Sequence, residues 1–488
     1  MKKTAEQEAI IKAVAEKDCN IGPIAGAGCG KSTTAKLACE QVLHKSPLYL
    51  AFNRSIALEF KEKCPEIESM TQHSFCLSLL RPLERFEMTN RYNNRDVRDA
   101  LDVDFLVASD VLKTITRFFQ SSEIKPTMNM VAPLFRIQDE ELRLAARRAI
   151  LNYTIDFWNW ILDRRVYSHD AYIKVLQVVY QDVVDQRFGL IAVDEYQDTN
   201  PAFAAILDRH PQQKLCIGDP MQAIYQWRGA IDAFETFEGE RYHLSVSFRF
   251  PAEIAELANE IISQRETDFR LTGLAPLTPL QGRHAYLHRS NTGCLQRAIS
   301  QRDSFEPFVL QGGVSPEEKS VLRDMQSLYF DHPEKIKTED LRGLESFEDL
   351  QEIMSLEEDE FGEWSSRDRL IHSLGGYARF SQELDSLENE SRRNEKNPRA
   401  NVIITAHKSK GLEYPSVTIG GDFLRKFTLP EETEALTGIK YAINGGEIEE
   451  QNLLYVAVTR GMRSVDLREI EPLFPNRSVV GLSLPQAA

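Results

Sequence analysis

Ala25-Gly26-Ala27-Gly28-Cys29-Gly30-Lys31-Ser32 brings three glycines, a lysine and a hydroxyl together in one short loop. That combination suits the binding of a phosphate chain. Backbone N–H groups can wrap a phosphate only where no Cβ blocks the approach, which makes Gly26, Gly28 and Gly30 the permissive positions. A helix is expected to begin near Lys31, so the anion would sit at a helix N-terminus, where unpaired donors and the helix dipole favour negative charge. Lys31 is placed to reach the β- and γ-phosphates. The hydroxyl of Ser32, with Thr33 beside it, suits a Mg²⁺ ion that keeps most of its water. Ala25 stands where this type of loop usually has its first glycine. Pro23 cannot donate to a sheet ladder and is expected to mark the end of the preceding strand. Cys29, at the helix N-terminus, is expected to favour its thiolate, so that thiol modification would inhibit turnover and bound nucleotide would protect.

Further along, the apolar run Leu190-Ile191-Ala192-Val193 delivers Asp194-Glu195-Tyr196-Gln197-Asp198. Two acids at the C-terminal edge of a strand occupy the ligand edge of an open α/β sheet. Asp194 suits Mg²⁺ held through water, and Glu195 suits a general base that polarises an attacking water. After the strand Lys214-Leu215-Cys216-Ile217, Gln222 can donate to a phosphate and accept from a water, which fits a sensor of the terminal phosphate. Trp227 beside Arg228 reads as a base-stacking platform or as core. Gln7 lies ahead of the loop where it can reach back to an adenine edge or sit exposed on a helix. Phe52 and His73 lie on short apolar segments and can face a nucleic acid or the core.

The elements that position these residues belong to a chain of 488 residues, too long for one core. Apolar content of 42% and charge of 27% are those of an ordinary globular protein. The chain has no apolar run long enough to span a bilayer and no signal peptide, so the cytoplasm is expected, with no membrane partner. Seven cysteines without a C-x-x-C pair argue against a disulfide framework or a zinc site. A net charge of −16 speaks against nucleic acid, yet nine acidic residues and no Lys or Arg fall between Glu345 and Glu363. From Arg81 to Arg165, arginines interleave with Phe86, Tyr92, Phe118 and Phe119, a pattern that suits single strands or a solvated helical face. Helical periodicity dominates from about 86 to 185, and a polar, acidic, strand-poor segment spans roughly 311–395. A second set of strand-like runs includes Ala285 to Arg289, Asn401 to Thr405 and Ser416 to Gly420.

The ordered motifs, from Gln7 to Arg460, resemble those of superfamily 1A DNA helicases of the UvrD, PcrA and Rep type. The wording of Gly218-Asp219-Pro220-Met221-Gln222-Ala223-Ile224-Tyr225 and Ala51-Phe52-Asn53-Arg54-Ser55-Ile56-Ala57 is similar to the F-box DNA helicase branch, without an F-box. The resemblance implies an α/β fold with two RecA-like parallel-sheet domains, each carrying a mainly helical insertion. The first domain would comprise 1–85 and 186–246 with insertion 86–185; the second would comprise 247–310 and 396–488 with a reduced insertion 311–395. It implies ATP and Mg²⁺ as cofactors, Gln7 reading adenine, Phe248 stacking on the base and Glu413 contacting the ribose. Arg249 and Arg460 would reach the γ-phosphate from the second domain. Asn53, Thr71, His73, Trp227, Arg228 and His407 fall at DNA-contacting positions; Phe52 directly precedes Asn53 where relatives have F-T-N. The implied activity is ATP-driven 3′-to-5′ translocation on single-stranded DNA with unwinding of tailed duplexes. The alternative is a DNA-stimulated ATPase that acts as a switch or serves a protein partner, such as a nuclease, without processive unwinding. Too few residues follow Arg460 for a fused nuclease domain.

Overall fold

A computed structural model describes residues 3–134, 139–224, 233–265, 267–338, 341, 344–355, 363–429, 433–434, 437 and 439–482. The chain divides into two compact units, Met1–Ser245 and Val246–Ala488. Both are of mixed α/β type and built on a mainly parallel six-stranded sheet.

In the first unit the sheet strands are β1 (Ile21–Ala25), β2 (Pro47–Ala51), β3 (Glu68–Thr71), β6 (Leu190–Val193), β7 (Gln213–Cys216) and β8 (Glu240–Leu244). A two-stranded pair, β4 (Glu87–Met88) and β5 (Val166–Tyr167), interrupts that series. The spatial order is β3-β2-β6-β7-β1-β8, every ladder being parallel. The central strands read as near-continuous apolar runs because both faces are covered, and β2 and β6 are buried along their whole length. This order sets the loop after β1, the end of β7 and the end of β6 side by side on one edge.

Pro23 corrects a sequence expectation, because β1 runs straight through it and pairs with β8 from Ile21↔Glu240 to Ala25↔Leu244. The proline is tolerated because the ladder on the other side is thin there. β1 meets β7 at Ile21↔Leu215 and then only at the bridge Ile24↔Gly218, and Pro23 O still accepts from Gly218 N at 3.3 Å.

Helices Asn94–Leu101, Phe105–Phe119, Glu140–Arg164 and His169–Val178 fill the segment between β4 and β6. Their core is continuous with that of the sheet, since Val111, Ile115, Phe157 and Ile161 belong to one buried cluster with Leu50, Phe75 and Val193. The single-strand reading of the arginine-aromatic stretch is therefore corrected. Tyr92, Phe118 and Phe119 are core residues, Arg117 donates to Met130 O, and Arg147 donates to Met128 O and Val131 O. Lys174, fully buried, lies 4.1 Å from the Phe118 ring centroid and donates to Ser121 O, and burial pulls its pKa down to about 7.

The second unit opens with β9 (Val246–Ser247) paired to β10 (Thr272–Gly273). Its sheet comprises β11 (His284–His288), β12 (Phe308–Leu310), β13 (Asn401–Thr405), β14 (Tyr414–Ile419), β15 (Gly461–Asp466) and β16 (Val479–Gly481), in the order β12-β13-β11-β14-β15-β16. Only β16 runs antiparallel. Between β12 and β13, helices including Pro316–Tyr329 and Phe380–Arg393 pack their apolar faces into one cluster with Leu295, Phe308 and Ile403.

Candidate nucleotide site and nucleic-acid surface

The loop after β1 is shaped by two glycines. Gly28 and Gly30 take φ of 74° and 77°, in the left-handed region where a Cβ is penalised. Gly26 does not, and its N–H donates to Leu244 O at 3.0 Å, so it extends the sheet rather than the cradle. Helix Lys31–Gln41 starts at Gly30, a residue with no side chain to cap its first turn, which leaves an N-terminus suited to an anion.

Lys31 Nζ lies 3.1 Å from Glu195 Oε2, and Ser32 Oγ donates to Asp194 Oδ2 at 3.1 Å. Burial opposes the charge of Lys31, but Glu195, Asp219 and Asp194 outweigh it and hold the ammonium above its ordinary pKa. The carboxyl of Asp194 is raised, first by burial and then by Glu195, against the pull of Lys31. Glu195 itself sits at φ 51°, ψ 48°, an uncommon conformation for a residue with a Cβ and one that costs about 1–3 kcal/mol. Gln197 fixes it there: its Nε2 donates to Glu195 Oε2 at 2.7 Å while its Oε1 accepts from Asp219 N at 2.8 Å. A Cβ at Gly218 would fall 2.3 Å from Gln197 Oε1, so a side chain there would push the Gln197 amide out of this position. Gln222 is buried and donates to Asp219 Oδ2, within the same carboxylate cluster.

Ser32 and Asp194 offer a hydroxyl and a carboxylate, the hard oxygen donors that Mg²⁺ takes. Among the described residues no group of three or more His, Cys, Asp or Glu side chains is arranged to hold a metal alone. A divalent ion here would therefore complete its shell with phosphate oxygens and water, as Mg²⁺ does at nucleotide sites.

Gln7 is buried, and both ends of its amide are engaged. Oε1 accepts from Thr4 N at 3.1 Å in a capping box of helix Ala5–Glu16, and Nε2 donates to Thr34 Oγ1 at 3.1 Å. The exposed-helix alternative is thereby excluded. Thr33 is exposed at the start of its helix, whereas Ala25, Ala27 and Cys29 are buried. The thiolate expectation for Cys29 is corrected: burial pushes its thiol pKa well up, Asp219 adds to this, and Sγ lies 3.8 Å from Ala27 O.

In the second unit, Arg249 and Glu413 are brought together, with Arg249 Nη2 2.7 Å and Nε 2.8 Å from Glu413 Oε1. Arg249 Nη1 donates to Thr459 O at 3.2 Å. Arg460 is buried and donates from Nε to Val456 O at 3.0 Å and from Nη1 to Leu412 O at 3.2 Å, tying down the residue before Glu413. Phe248, half-buried, adjoins Arg249. Glu413 and Arg460 directly precede the parallel strands β14 and β15, whereas His407 follows β13 on the opposite edge.

Residues 4–240 match the family model for the UvrD/REP helicase N-terminal domain. That match falls within the first unit, which is similar to this helicase domain. The whole chain is similar to F-box DNA helicase protein 1 of Schizosaccharomyces pombe, at 25% identity over 96% of this chain and 57% of that protein. It is also similar to F-box DNA helicase 1 of Gallus gallus, at 25% identity over 95% of this chain and 48% of the relative. ATP-dependent DNA helicase PcrA of Bacillus subtilis is 28% identical over 49% of this chain and 37% of its own length. The chain thus spans about half the length of the F-box helicases it matches.

Within the matched residues 4–240 the described candidate DNA residues lie at or beside helix starts. Phe52 is 45% exposed, so the core alternative is excluded. Asn53 caps helix Arg54–Lys63 through Ile56 N, and Thr71 caps helix Gln72–Leu80 through Ser74 N. His73 is half-exposed, 3.8 Å from Asp170 Oδ1. His407 is half-buried in the short helix Ala406–Ser409 of the second unit. Trp227 and Arg228 lie outside the described residues. Sequence reasoning gave no role to Tyr49, Gln197 or Asp219. Gln197 and Asp219 carried a signal, since each stands inside a strand-end segment already singled out; Tyr49 read as one more apolar residue of its strand. No described helix is long and apolar enough to cross a membrane.

Proposed function

We propose that this chain is an ATP-dependent 3′-to-5′ single-stranded DNA translocase and DNA helicase. The observation that carries the reading is the meeting of Lys31 and Ser32 with Glu195 and Asp194 within 3.1 Å, across more than 160 residues of sequence. Lys31 releases Glu195 to hold the γ-phosphate, and the freed carboxylate of Glu195 takes a proton from the attacking water. Mg²⁺ bound by Ser32 and Asp194 would neutralise charge developing on the phosphates. Gln222 turns from Asp219 toward the terminal phosphate. Gln7 exchanges Thr34 for the adenine edge, and Phe248 stacks on the base. Arg249 exchanges Glu413 for the γ-phosphate, which releases Glu413 to the ribose, and Arg460 gives up its carbonyl partners to join it.

The division into domain 1A (1–85 and 186–246), insertion 1B (86–185), domain 2A (247–310 and 396–488) and a reduced insertion (311–395) belongs to this proposal. Hydrolysis drives translocation, and Phe52, Asn53, Thr71, His73, Trp227, Arg228 and His407 are the residues that engage the strand. The substrates are single-stranded and tailed duplex DNA, the location is the cytoplasm, and a nuclease or other pathway subunit is a fitting partner. Unwinding assays on 3′-tailed, 5′-tailed and blunt duplexes test the reading: separation of the 3′-tailed substrate alone is expected. Turnover stimulated by single strands with no duplex separated would favour the switch reading instead, and preference for the 5′ tail would overturn the polarity.

A further inference from the structure

Tyr49 is fully buried on β2, its ring stacked on Phe60 with centroids 3.6 Å apart and planes 5° from parallel. Its hydroxyl donates to Asp194 Oδ2. The register places Tyr49 opposite Ala192 on β6, so Asp194 is its diagonal neighbour on the same sheet face, within reach of a long aromatic side chain. The same Oδ2 accepts from Ser32 Oγ at 3.1 Å, while Oδ1 accepts from Glu195 N at 3.0 Å. Three donors, two of them on rigid elements, therefore fix both oxygens of the carboxylate. When Ser32 turns to an incoming cation, Tyr49 and the Glu195 amide are left to hold Asp194 in place.

We propose that Tyr49 is a positioning residue that presets the Asp194 carboxylate for the divalent cation carried in with the nucleotide. A second-layer hydrogen bond of this kind removes the freedom of the carboxylate to rotate, so the cost of orienting it is met on folding rather than on metal binding. The phenol is suited to the task because it donates without adding charge beside Lys31, and the stack on Phe60 leaves it one direction in which to point. The inference rests on the nucleotide-hydrolysis reading above.

Tyr49→Phe keeps the ring and its stack and removes only the donor. Mn²⁺ affinity, read by electron paramagnetic resonance in the presence of ADP, is expected to fall about 10-fold or more, the usual effect of losing an outer-shell partner. The Mg²⁺ concentration for half-maximal turnover should rise in parallel, while ADP affinity in EDTA stays at the wild-type value. Unchanged Mn²⁺ affinity, or equal losses of metal and metal-free ADP binding, would overturn the proposal. If wild type neither binds ADP nor turns over ATP, the hydrolysis reading itself fails; wild-type turnover with an indistinguishable Tyr49→Phe variant sinks only the positioning role. Should the variant not fold, 3-fluorotyrosine placed at position 49 of the otherwise native chain gives a second test. Its fluorine resonance is expected to shift with Mg²⁺ and ADP but not with ADP in EDTA, and an unmoved resonance counts against the proposal.

Discussion

Glu195→Gln is the substitution that most cleanly separates binding from chemistry in this site. The new amide is isosteric, so Gln197 and the left-handed backbone at position 195 are disturbed little. What disappears is the base and one of the three carboxylates that hold Lys31 in its charged form. Asp219 and Asp194 remain to oppose the burial of Lys31, whose 3.1 Å contact with residue 195 weakens from an ion pair to a hydrogen bond with a neutral amide. Nucleotide affinity is therefore expected to stay at the wild-type level or tighten. Turnover should fall by about 10²- to 10⁴-fold, the usual contribution of a positioned general base, which is roughly 3–5 kcal/mol on the barrier. Phosphate release at saturating single-stranded DNA measures turnover, and a fluorescent nucleotide titration measures affinity. A loss of turnover under about tenfold would refute the assignment of Glu195 as base. A matching collapse of nucleotide affinity would show instead that the carboxylate supports the fold of the loop.

Other outcomes follow from the same contacts. Arg249→Ala should lower turnover by about 10³- to 10⁵-fold if its guanidinium stabilises the transferring phosphoryl group, with nucleotide affinity nearly intact; a variant within tenfold of wild type would remove it from the mechanism. His284 lies 2.8 Å from Ser416 Oγ and 2.9 Å from Thr418 Oγ1, and burial pulls its pKa from 6.5 to about 4. The folded state thus holds the neutral ring while the unfolded chain takes up a proton below about pH 6.5, so stability present above that pH is lost as pH falls toward 4, by about 3 kcal/mol. Urea unfolding of wild type and His284→Gln across that window checks this: the variant should show a shallower loss, and identical slopes would contradict it. Six of the seven cysteines are buried and Cys19 is half-exposed, so a colourimetric thiol reagent should label one site quickly in the native protein and the rest only in denaturant. Rapid labelling at Cys29 would contradict its burial.

The strands that carry the candidate site were legible because they are short apolar runs ending in polar residues, as at Val193 before Asp194 and Ala25 before the glycine loop. Parallel order then sets those ends side by side, and no long-range reasoning was needed to expect Lys31 near Asp194 and Glu195. What escaped was contact set by register and by burial. Tyr49 reads as one more apolar residue of its strand until β2 is laid beside β6, which aims its hydroxyl at an acid 145 positions away. Gln197 and Asp219 were visible as residues but not as a pair, since their link depends on Gly218 leaving room. The arginine-aromatic stretch misled because interleaving along the chain says nothing about the helix face: Phe118 and Phe119 point into the core whereas Arg117 reaches a backbone carbonyl. Pro23 misled for a related reason, because a missing donor matters only on the side where the neighbouring ladder needs it.

On the proposed reading, DNA-stimulated ATP hydrolysis proceeds at the loop holding Lys31. It is tested most directly by phosphate release from wild type and Lys31→Ala, each with and without single-stranded DNA. Slow release by wild type alone, marked stimulation by the strand, and no release above background from the variant under either condition are expected. Release by Lys31→Ala equal to that of wild type, or a wild-type rate indifferent to DNA, would contradict it.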